Sequence, residues 1–87
     1  MIIVSQDEKK IVNFDNIAHI FISKDSENHY LIEYGKMNGS SELLGIYATE
    51  ERAEEVLRDI IDEYSCYRLD VNNSANYLPK ICEMPKE

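Results

Sequence analysis

The sequence predicts an α+β fold: an antiparallel sheet of about five strands, one long helix packed on one face, and an extended C-terminal edge segment. Three observations carry this. The first half of the chain is a series of short apolar runs separated by turn residues. A single stretch, Ala53 to Tyr64, repeats apolar residues at helical spacing. Pro79 in the last stretch cannot donate a ladder hydrogen bond, which restricts that stretch to an edge.

Ile2–Val4 and Ile11–Phe14 read as the first two strands, joined through the polar residues Gln6-Asp7-Glu8-Lys9. Asp15-Asn16 is a turn signal, because both side chains can bond nearby backbone. Ile17–Ile22 forms the third strand, and Lys24-Asp25-Ser26-Glu27-Asn28 the loop before the fourth, His29–Tyr34. Asn38-Gly39 is the strongest hairpin signal in the chain. Leu43–Ala48 is the fifth strand.

Sheet faces follow from period two. Pairing Ile22 with Tyr30 puts Ala18, Ile20, Ile22, Tyr30, Ile32 and Tyr34 on the core face. His19, Phe21, Ser23, His29, Leu31 and Glu33 then share the second face. Burial places Leu44, Ile46 and Ala48 on the core side. A strict two-residue Asn38-Gly39 turn would put Leu43, Gly45 and Tyr47 there instead. The conflict predicts a bulge or a longer loop.

Thr49 is the expected helix N-cap, with Glu50 and Glu51 where the helix dipole favours negative charge. Ala53, Val56, Leu57, Ile60, Ile61 and Tyr64 form one apolar stripe, so the helix lies on the sheet with its opposite side wet. It is expected to end near Ser65–Tyr67. A polar loop, Asn72–Asn76, and the extended Tyr77–Met84 segment follow.

A chain of 87 residues is expected to form a single domain, 1–87, with a thin core. Small domains of this kind often gain stability by association. The formal charge of −8 is concentrated in the helix, and no cluster of Lys and Arg is present. That excludes direct binding of nucleic acid and of an anionic membrane surface. The opening apolar run is too short for a signal segment, which points to the cytoplasm. Cys66 and Cys82 have no metal-ligand spacing and are expected as thiols, with a disulfide between them as the alternative.

Candidate chemistry is sparse. His19 falls opposite Glu33 in the register above, an arrangement that could orient an imidazole, and His29 lies on the same face. The plainer reading is a cross-strand polar pair. The three glycines form no phosphate loop. No cofactor, metal or catalytic residue is expected. The informative feature is the apolar content of the second face: Phe21, Leu31, Leu43 and Tyr47. One helix cannot cover both sides of a sheet, so either Tyr77–Met84 folds over these groups or another chain does.

Met1–Asp7 and Val12–Ile17, with Leu44–Ala53, Glu55-Val56-Leu57 and Glu83–Glu87, resemble short proteins of unknown function from Firmicutes and their prophages. The resemblance runs nearly end to end. It implies a small bacterial or phage-borne cytoplasmic protein and transfers no site residues. A shorter likeness, of Asp15–Ile22 to LytTR-type DNA-binding domains, is opposed by the acidic balance.

The expected function is a non-catalytic protein-interaction module that associates with itself or with a protein partner through the second face or an edge strand. The alternatives are an acidic inhibitor that imitates nucleic acid on a basic protein surface, and a small enzyme using His19, Glu33 and His29.

Overall fold

The computed structural model describes the backbone of residues 1–73 and 81–87, and the side chains of 1–65 and 81–87. The described residues form β1 (Ile2–Val4), β2 (Ile11–Asn13), a 3-10 turn (Phe14–Asn16), β3 (His19–Lys24), β4 (Tyr30–Gly35), β5 (Ser41–Tyr47), α1 (Glu50–Asn73) and β6 (Ile81–Glu83). They build an α+β architecture, but the strands divide into two sheets instead of one. One sheet has the order β2-β1-β6, and the other β3-β4-β5. β1 pairs antiparallel with β2 and parallel with β6, so the C-terminal strand lies at an edge as expected. The Tyr77–Lys80 part of the expected segment lies outside the described residues.

Polar groups of the β1–β2 loop separate the sheets. Gln6 occupies the outer side of β5: its side-chain carbonyl accepts from the Ile46 N–H at 2.7 Å and its amide donates to the Ile46 carbonyl at 3.0 Å. Gln6 N–H also donates to the Leu44 carbonyl at 2.8 Å, and Lys10 Nζ to the Leu43 carbonyl at 3.3 Å. A fourth strand therefore finds that edge filled by side chains.

The core joins both sheets and the helix. Met1, Ile3 and Val12 from the first sheet meet Ile32, Tyr34, Leu44 and Tyr47 from the second, with Ala53, Val56 and Ile60 of α1 and with Met84. Val56 and Ile60, fully buried, each contribute on the order of 1.5–3 kcal/mol before chain entropy is subtracted. The apolar helix stripe is narrower than its sequence pattern. Ile61 is 54% exposed, one position beyond the face that meets the sheet, and Leu57 is half-buried. Thr49 caps the helix through its hydroxyl, which accepts from Arg52 N–H at 3.1 Å. The helix runs past Tyr67 to Asn73, since no Gly or Pro interrupts it, and Asn72 and Asn73 of the expected loop lie within it.

Candidate interaction surface

β3 and β4 pair with His19 opposite Gly35, Phe21 opposite Glu33 and Ser23 opposite Leu31. This is two residues away from the expected Ile22–Tyr30 register. A slip of two preserves the faces, so Ile20, Ile22, Ile32 and Tyr34 remain on the core side. It does separate His19 from Glu33. The His19 ring lies over Gly35, where a Cβ would come within 2.3 Å of Cε1, and it stacks on Phe21 with ring centroids 5.2 Å apart. Glu33 instead accepts a hydrogen bond from Ser23 Oγ. His29 sits at the turn, with Nδ1 3.5 Å from Asp25 Oδ2. The expected imidazole–carboxylate pair is thus not formed. Among the described residues no group of three or more His, Cys, Asp and Glu is placed to hold a metal ion.

Between β4 and β5 the register shifts at Ile32/Glu33, so that Glu33 faces Leu43, Ile32 faces Gly45 and Leu44 is the extra, bulged residue. The expected bulge is present, and it exchanges the faces beyond it. Leu43 stays on the second face. Tyr47, expected there, turns into the core at 2% exposure, and Ile46, expected in the core, emerges at 42%. Gly45 permits this, because a Cβ on it would come within 3.0 Å of the Tyr47 ring. The Tyr47 hydroxyl donates to the Pro85 carbonyl at 2.9 Å, and burial pushes its pKa up to about 12.

The second face therefore carries Phe21, Leu31, Leu43 and Ile46 around a central Glu33. Phe21, Leu31 and Leu43 are half-buried by their own neighbours and stand outside the core cluster, and α1 packs against the three strands from the opposite side. Of the described tail, Ile81–Glu83 pairs with β1 and Met84 enters the core, while Lys86 and Glu87 reach the rim of this face beside Ile46. An open cleft of about 610 Å³ adjoins Ile46, lined also by His29, Thr49, Arg52 and Lys86. Sequence reasoning identified three of the four apolar residues. It missed Ile46, whose placement depends on which residue bulges.

The helix presents a second surface. Glu51, Glu54, Glu55, Asp59, Asp62 and Glu63 are all exposed, with Ile61 among them. Among the described residues no helix is long and apolar enough to cross a membrane. Cys82 is half-buried, and its pairing with Cys66 lies outside the described side chains. Comparison with known protein families, with curated proteins and with solved structures finds no match to this chain.

Proposed function

We propose that this is a small cytoplasmic protein of bacterial or phage origin that acts without catalysis, as a protein-interaction module docking through the open side of the β3-β4-β5 sheet. The observation that carries the reading is the row of Phe21, Leu31, Leu43 and Ile46 on the face opposite the helix. Large apolar groups gathered on one side of a small sheet exceed the scatter usual on a monomer surface. A second copy of the chain is the simplest partner. Phe21→Ser removes the aromatic group on the strand nearest the free edge without touching the core. Light scattering over a concentration series should show self-association that this variant weakens about 10-fold or more, with an unchanged circular dichroism spectrum. Equal association of both proteins would overturn docking through this face, and a strict monomer at millimolar concentration would remove self-association from the reading.

A second reading is supported by the exposed carboxylates of α1. An acidic inhibitor covering a basic protein surface would be captured by such a surface in a strongly salt-dependent way. Retention on a basic protein that ignores salt argues against it.

A further inference from the structure

We infer that two copies of this chain pair edge to edge through β3 in antiparallel orientation, joining their β3-β4-β5 sheets into one continuous six-stranded sheet. This rests on the interaction-module reading and names its partner and geometry.

The edges differ in how they are guarded. β5 is covered by Gln6 and Lys10, whose side chains hold the outer groups of Leu43 and Ile46. β2 and β6 are three residues long. β3 is six residues long and, among the described residues, pairs with β4 alone. Of the devices that usually blunt an edge, neither a proline nor a bulge occurs within His19–Lys24, and its one charged side chain, Lys24, stands at the strand's end with its ammonium over the Tyr30 ring of β4.

The outward backbone groups can be assigned. Asp25 N–H bonds to the His29 carbonyl, and antiparallel pairs alternate between bonded and non-bonded. With Lys24 opposite Tyr30, the main-chain groups of Ser23 and Phe21 turn toward β4. Those of Ile20, Ile22 and Lys24 turn outward. A strand exposing donors and acceptors at every second residue is completed by another of the same spacing, and β3 of a second copy has it.

Charge selects the register. With the two-fold axis at Ile22, Ile22 pairs with Ile22 of the second copy and Ile20 with Lys24. His19 then faces Asp25, so the imidazole end of each strand meets the carboxylate end of the other. Phe21 lies diagonal to its equivalent, within reach of an aromatic side chain. The two second faces become one surface twice as wide. The acidic helices lie on the other side, which keeps their like charges off the seam.

Lys24→Pro tests this. It removes an outward N–H and sets a ring against the incoming strand, yet leaves the β3–β4 hydrogen bonds and the core intact, because Lys24 is exposed, its main chain turns away from β4, and its side-chain contact there is the ammonium over the Tyr30 ring. Sedimentation equilibrium should show a wild-type dimer whose dissociation constant rises about 10-fold or more in Lys24→Pro. Ile11→Ser, on the exposed side of β2 in the other sheet, should leave it unchanged. Hydrogen exchange gives the direct signature: the Ile20, Ile22 and Lys24 amides slow as concentration rises. A dimer that survives Lys24→Pro, weakens with Leu43→Ser and exchanges freely at Ile22 overturns edge pairing but leaves the interaction reading standing. A wild-type monomer at all concentrations overturns edge pairing together with self-association.

Discussion

Gln6 shows how much one side chain can settle. Its amide bonds to both main-chain groups of Ile46 and reaches the Pro85 and Lys86 carbonyls at 3.2 and 2.9 Å, tying the first loop, β5 and the C-terminal segment at one point. Tyr47 meets the same segment from the core side. A tyrosine whose folded pKa lies near 12 stays protonated where the unfolded chain, near 10, has already ionised. Its contribution to stability is therefore complete below pH 10 and is lost as pH rises through 12. Urea denaturation between pH 9 and 12 should show this decline in the wild type. Tyr47→Phe, about 1 kcal/mol less stable at neutral pH for want of the Pro85 hydrogen bond, should lack that part of the slope. Identical slopes would show that Tyr47 is not shielded. The sequence marks Tyr47 as a large aromatic but cannot show that its ring covers Gly45, a contact made possible only by the bulge.

The three hairpins use the same two devices, an Asp or Asn side-chain acceptor and one residue at positive φ. Asp7, Asp25 and Asn38 each accept, through a side-chain oxygen, the N–H two residues on. Glu8, Asn28 and Gly39 hold positive φ at 62°, 65° and 92°. Gly39 and Asn28 suit that conformation, whereas Glu8 is strained in it. Gly39→Ala should cost about 1–2 kcal/mol through backbone strain alone, since a Cβ there meets nothing within 4 Å. Glu8→Gly should be neutral or gain up to about 1 kcal/mol, because relief of strain competes with added freedom in the unfolded chain. Thermal melts of both variants test this, and a destabilised Glu8→Gly would contradict it. The loops were legible because Asp, Asn and Gly announce turns by their own chemistry. The loop lengths were not. Asn38-Gly39 suggested a two-residue turn, yet Lys36 N–H bonds to the Ser40 carbonyl and closes a longer one. Helix onset at Thr49 was read from its cap. The helix end was not, since polar residues without Gly or Pro do not compel a stop.

Across the whole molecule, Leu44 is the hinge between the sheets. Its side chain is 1% exposed in the shared core, and its carbonyl binds Gln6 N–H. Leu44→Ala should cost about 2–5 kcal/mol in urea denaturation, against well under 1 for Ile46→Ala on the open face. Similar losses at both positions would mean the face assignment is wrong. By itself the amino-acid order determined the α+β class, the segments of β1 to β5 to within two residues, the core face of β3 and β4 and the acidic outer side of the helix. These follow from periodicity, which a slip of two residues leaves intact, and from composition. Tertiary structure alone decided that the strands form two sheets, that Ile46 and not Tyr47 faces outward, and that, among the described residues, β5 is closed while β3 is open. Each depends on one bulged residue or on side chains from a loop some forty positions away, and no local pattern encodes such a meeting.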